Sequence, residues 1–252
     1  MGNSMLKQVH LAAQYLATVG KRFLPAKNDD SHTSLGFVPK NGALKTWPLN
    51  DSGHSLVFDY SQFALRWNSE ANDTLALDGK THGEIVSWIT EVTQVHGLSP
   101  DYDYELHYKL PYPINNDFQF SLDKPTDLRE QLRLRNLAQV VLESFLRQGN
   151  LRSDIRVWPH HFDTGAFVSL NDGSQKSIGL GMAIPDKVCN DHYFYISGYQ
   201  GSKPMEVSTF KGLPLGQWKN TDFKGALLPT TGIDIKNGVL FFQEASKAYR
   251  NV

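Results

Sequence analysis

The sequence predicts an α+β protein built on largely antiparallel sheet, and three observations carry that prediction. Helical and strand periodicities occupy separate stretches, as they do where helices pack together on one sheet face. Short turn signals such as Asn41-Gly42 and Asn171-Asp172-Gly173 join neighbouring strands. Four longer stretches carry the three-and-four apolar spacing of amphipathic helices.

Taken in order, Met5, Val9, Ala12, Leu16, Val19 and Phe23 place a first helix over 5–24, stopped by Pro25. A hairpin follows, with arms at 35–38 and 43–46 around a turn in which Asn41-Gly42 supplies a positive φ. Alternation over 55–67 predicts one long strand, and the polar run Asn68 to Asp73 turns the chain into a short strand at 74–77. Thr81 and Glu84 form a capping box ahead of Ile85, Trp88, Ile89, Val92 and Val95, a helix ended by Gly97. Tyr104, Leu106, Tyr108 and Leu110 alternate with polar residues, predicting a further strand that Pro111 and Pro113 terminate. The stretch to Asp123 reads as a linker. Leu134, Leu137, Val141 and Phe145 then mark the longest helix, 126–148, closed by Gly149. Strands are predicted at 155–158, 164–170, 177–184, 192–197 and 224–228, and a last helix from Gly238 to about Tyr249. The 252 residues read as one compact unit, with two similar helix, strands, helix halves, 1–120 and 121–252, as the alternative.

Twenty-five Lys and Arg against 26 Asp and Glu leave no global field to hold phosphate backbones, so no nucleic-acid partner is expected. A single cysteine, Cys189, excludes an intrachain disulfide and a thiolate-rich metal centre within one chain. Carboxylates beside it disfavour a reactive thiolate. The first residues lack the apolar core of a secretory signal, and no stretch reaches a membrane span, so a cytoplasmic protein without a membrane partner is expected. Met1-Gly2 begins like an acylation signal, but Leu6 stands where Ser or Thr is needed.

The densest chemistry is Trp158-Pro159-His160-His161-Phe162-Asp163. Pro159 cannot join a ladder and predicts a bulge or strand break. His161 and Asp163, two residues apart, would share one face of an extended segment and are the candidate acid–base pair, with His160 opposite. No third ligand is evident, so no metal is assigned; His192, His107, Asp186 and Asp191 are the residues the fold would have to bring in. The bland reading makes Trp158 and Phe162 core anchors and the histidines surface groups.

Two strands further on carry patterned faces. Gly179, Gly181 and Ala183 leave one strand face nearly bare, open to close approach by a helix, a backbone or a flat ligand. Tyr193, Tyr195, Ser197 and Tyr199 line another strand, suited either to a ligand wall or to a half-buried sheet. Trp158, His160, His192, Tyr193 and Tyr195 are therefore the candidate ligand-binding residues. Gly179-x-Gly181 lacks the third glycine and the helix of a dinucleotide loop, and neither a P-loop nor a Gly-x-Ser-x-Gly elbow occurs, so no cofactor is assigned.

The N-terminal helix, the Leu56-Val57-Phe58-Asp59-Tyr60 strand, the strand and helix from Leu75 to Gly97, and His161-Phe162-Asp163 together resemble a bacterial family of uncharacterised proteins. Tyr193-Phe194-Tyr195, Gly225-Ala226-Leu227-Leu228-Pro229 and a terminal helix with Phe242 and Tyr249 extend the resemblance over most of the chain. The resemblance implies a fold and supplies no reaction or cofactor. Three functions are expected in descending order: a small-molecule-binding or enzyme-like protein with a pocket near Trp158–Asp163, a structural or interaction protein that forms a homodimer through its aromatic sheet, and a metal-dependent hydrolase using His160 or His161 with Asp163 and His192.

Overall fold

The computed structural model describes residues 4–69, 73–170 and 173–251, leaving the acylation-like start, part of the polar run at 70–72 and the Asn171-Asp172 pair outside the described residues. Among the described residues, four α-helices and two antiparallel sheets of five and seven strands make an α+β fold. The chain divides into two units: Met1–Leu134 with Val157–His160, and Arg135–Arg156 with His161–Val252. The division therefore falls inside the third helix.

In the first unit, α1 (Met5–Phe23) begins at Ser4, whose hydroxyl accepts from the Lys7 amide at 3.3 Å. From Gln8 to Gly20 every residue is buried. Its apolar stripe packs on the sheet at β3 (Leu56–Asp59), yet its other side is also covered and is polar: Gln8, His10, Gln14 and Thr18 are each at most 2 % exposed. The sheet is a meander in chain order. After β1 (Gly36–Val38) comes a one-turn 3-10 helix at Pro39–Asn41, then Gly42 at φ +59°, then β2 (Ala43–Lys45), so the predicted hairpin closes on Gly42.

The long strand expected over 55–67 is instead two, β3 and β4 (Ala64–Trp67), paired as a hairpin with Asp59 opposite Ala64. The Asp59 carboxylate folds back to accept from the Ser61 amide at 2.8 Å and the Gln62 amide at 3.2 Å, and Phe63 takes a positive φ of 46°. Alternation continues across the turn because both arms face the same core, which is why periodicity alone missed it. β5 (Thr74–Ala76) completes the sheet.

The predicted capping box is present at α2 (His82–Val95): Thr81 Oγ1 accepts from the Glu84 amide, and the Glu84 carboxylate accepts from the Thr81 amide at 2.8 Å. That amide, together with Lys80 and the Thr81 hydroxyl, holds the Glu84 pKa down to about 2. Thr81→Ala is expected to cost about 1 kcal/mol, read as a lower urea midpoint at unchanged slope.

The strand expected at 104–110 does not form. The alternation is real, since 102, 104, 106, 108, 110 and 112 are the more buried positions, but the segment has no ladder. Its tyrosines bond the polar face of α1 instead. Tyr102 pairs with Thr18 Oγ1 at 2.8 Å, Tyr108 donates to Gln14 Oε1 at 2.6 Å, and Tyr112 bonds His10 Nδ1. Gln14 Nε2 and His10 Nε2 in turn bond the carbonyl of Pro159, at 2.9 and 2.7 Å. An extended tyrosine-rich segment thus replaces a strand, its side chains bonded to a helix.

Tyr15 Oη and His82 Nδ1 are hydrogen-bonded at 2.8 Å, and His82 is only 7 % exposed. Burial pushes the Tyr15 phenol up and pushes His82 below its ordinary value of 6.5. The folded state therefore holds His82 neutral where the unfolded chain would protonate it. The stability this contributes is complete above the unfolded pKa and is lost as the pH falls from there through the depressed folded value. Urea midpoints measured downward from neutral pH are expected to fall across that window, and to fall less in His82→Asn.

The second unit takes the later part of α3 (Pro125–Gln148) and α4 (Ile235–Arg250), whose N-cap Asp234 accepts from Asn237 at 2.8 Å. Its strands are β7 (Asp163–Ser169), β8 (Lys176–Ala183), β9 (Tyr193–Gln200), β10 (Lys203–Pro204), β11 (Gln217–Lys219) and β12 (Gly225–Pro229). They run in the order β11-β12-β9-β8-β7, with β10 beside β9, while β6 (Arg156–Trp158) straddles the division. β10 and β11 were not expected, being short and largely exposed. α4 packs on β8 and β9, where the Tyr249 ring occupies the space a side chain at Gly198 would need. Phe242, fully buried, meets Phe145, Phe194 and Phe241 with ring centroids 5.6, 5.4 and 5.2 Å away.

Candidate functional site

One face of the second sheet carries α4. The other carries every patterned residue that the sequence singled out in this unit. Register places Gly165 opposite Gly181 and Gly181 opposite Tyr195; one step along, Phe167 faces Gly179 and Gly179 faces Ser197. The bare glycine face is filled, but from within the sheet. Tyr195 lies flat across β8, so that a Cβ at Gly181 would stand 2.7 Å from its oxygen and one at Gly165 3.0 Å. Its hydroxyl thereby crosses a whole strand and donates to Asp163 Oδ2 on β7. Over Gly179 the Tyr199 and Phe167 rings meet at 5.9 Å.

Asp163 is 9 % exposed. Burial, then the Asp163 charge, raise the Tyr195 pKa well above the usual tyrosine value. Tyr195 is therefore a fixed donor at neutral pH, and Asp163 is the acceptor of the pair. Beside it Tyr193 donates to Asp186 Oδ2 at 3.0 Å, and burial followed by that bond raises its pKa too. Asp186 also accepts from the Val188 amide at 2.8 Å and the Cys189 amide at 3.2 Å, which fixes the loop that carries the half-buried Cys189. Two carboxylates and two protonated phenols thus stand side by side, with the Phe223 ring 6.3 Å from that of Tyr195.

The Trp158–Asp163 cluster is divided between the two units. A turn at 159–162 supplies the predicted strand break. Trp158 and His160 belong to the first unit, half-buried, with His160 lying 5.6 Å from the Tyr108 ring. His161, Asp163, His192, Tyr193 and Tyr195 belong to the second. His161 and Asp163 do not share a face as expected: Phe162 has φ +57°, which breaks the extended run, leaving His161 exposed and Asp163 buried. A bulky residue in that region costs roughly 1–2 kcal/mol. His192 is buried and its carbonyl accepts from Thr230 at 2.8 Å. Phe162, at 1 % exposed, is a core anchor. Open concavities lie along 106–114 and along α3 and 151–155.

Arg135 escaped the sequence reading. It is 4 % exposed, donates to the Phe162 carbonyl at 3.1 Å and to Thr164 Oγ1 at 2.5 Å, and lies 4.3 Å over the Phe162 ring. The available signal was a charge at core spacing, three and seven residues before the fully buried Ala138 and Leu142.

Among the described residues no three His, Cys, Asp or Glu side chains come together to hold a metal ion, and no helix is long and apolar enough to cross a membrane. Compared with family models, curated proteins and solved structures, the chain matches none.

Proposed function

We propose that the second unit binds a small flat or sugar-like molecule on its tyrosine-lined sheet face, around Asp163 and Tyr195. The observation that carries this reading is the reach of Tyr195 across a glycine floor to a buried carboxylate. Asp163 and Asp186 would accept hydrogen bonds from ligand hydroxyls or amines, and the Tyr193, Tyr195 and Phe223 rings would form an apolar wall. Since Tyr195 keeps its proton, any acid–base step would fall to Asp163, not to the phenol. A face holding two carboxylates favours neutral or cationic ligands over phosphates. A thermal-shift screen of neutral sugars, amines and phosphorylated metabolites tests this, because a ligand bound by the folded state alone raises the melting temperature. A stabilising sugar or amine supports the reading; a screen in which only phosphorylated compounds stabilise contradicts it.

A second reading rests on Phe167, which is 62 % exposed beside Tyr199. An exposed aromatic on a sheet face suits association with another copy of the chain. Sizing chromatography would show a dimer in wild type and a monomer in Phe167→Ser; a monomer in both removes this reading.

A further inference from the structure

We infer that Arg135 is a positioning residue that holds Asp163 toward Tyr195. The inference rests on the ligand-site reading for its purpose, but its geometry stands on separate contacts. The guanidinium fork grips both neighbours of Asp163: Nη2 takes the Phe162 carbonyl at 3.1 Å and Nη1 takes Thr164 Oγ1 at 2.5 Å. The same group lies 4.3 Å over the Phe162 ring, at the residue held at φ +57°. Successive side chains of a strand point to opposite faces, so Thr164 faces the helices while Asp163 faces Tyr195. Gripping Thr164 from one side, with the preceding carbonyl held, fixes the direction of Asp163 on the other.

Arg135 makes none of the ion pairs among the described residues, and its Nε is buried without a hydrogen-bond partner. A guanidinium buried 96 % with no acidic partner is poorly explained by charge pairing. Its contacts are those of a backbone clamp. Lysine can replace the charge but not the planar fork.

The test uses the ligand-free protein, so that it is independent of any ligand screen. Tyrosine labelled with ¹³C at Cζ gives one NMR signal per ring, and the Tyr195 signal is identified by its loss in Tyr195→Phe. In Arg135→Lys with a melting temperature near wild type, the Tyr195 signal is expected to move toward that of a water-exposed phenol while the other tyrosines stay. A Tyr195 signal unmoved in that folded variant, or all tyrosine signals moving together, overturns the inference. Where Arg135→Lys does not fold, Thr164→Val, which removes one acceptor at nearly constant shape, decides in the same terms. Failure of the ligand reading would show instead as a screen without stabilisation and an intact Arg135 effect.

Discussion

Phe242→Ala is expected to lose about 3–5 kcal/mol of stability, the largest effect of any single truncation considered. The ring is fully buried where α4 meets β9, and Phe145, Phe194 and Phe241 each pack against it. These neighbours come from two helices and a strand, so none can collapse into the space without pulling its element away. A cavity term therefore adds to the lost transfer term. Urea unfolding followed by far-ultraviolet circular dichroism checks this; a loss under 1 kcal/mol would mean the α4 contact is not a keystone of the second unit.

Gln14→Leu is the polar counterpart in the first unit, expected to cost about 1–3 kcal/mol. The substitution conserves volume, so packing is little disturbed. What changes is that Tyr108 loses the acceptor to which it donates at 2.6 Å, and the Pro159 carbonyl loses one of its two donors. Since the 102–112 segment has no ladder, these side-chain bonds are what hold it to α1. Hydrogen exchange or limited proteolysis should show the loss concentrated at 102–112, with the first sheet protected as in wild type. Uniform loosening of the whole unit would contradict that account.

Much of the fold could be read from the sequence because its signals are local. The α1 stripe, the Thr81 and Glu84 box and the separate strands that carry Gly179 and Tyr195 each depend on residues a few positions apart. The failures share a cause as well. Alternation reports which side chains are buried, not what satisfies the backbone, so a hairpin at 56–67 looked like one strand and a segment bonded to a helix at 104–110 looked like another. The site was legible in part. Asp163, Tyr193 and Tyr195 were named together with Trp158 and His160, which belong to the other unit, and Phe162 at positive φ breaks the extended run between His161 and Asp163. Arg135 is 28 residues before Asp163, and no local pattern links the two. The glycine floor was seen, though not that Tyr195 itself would occupy it.

The central claim, that a ligand is held at the Tyr195 and Asp163 pair, is tested most directly by the affinity of the best-stabilising sugar or amine in wild type, Tyr195→Phe and His161→Ala, measured by titration calorimetry. Tyr195→Phe is expected to weaken binding about 10-fold to 100-fold, because Asp163, the carboxylate that accepts from the ligand, loses the phenol donor that orients it, and His161→Ala, an exposed residue outside the pair, to leave it unchanged. Wild-type affinity in a folded Tyr195→Phe, or binding abolished by His161→Ala, would contradict the claim and move the site off this face.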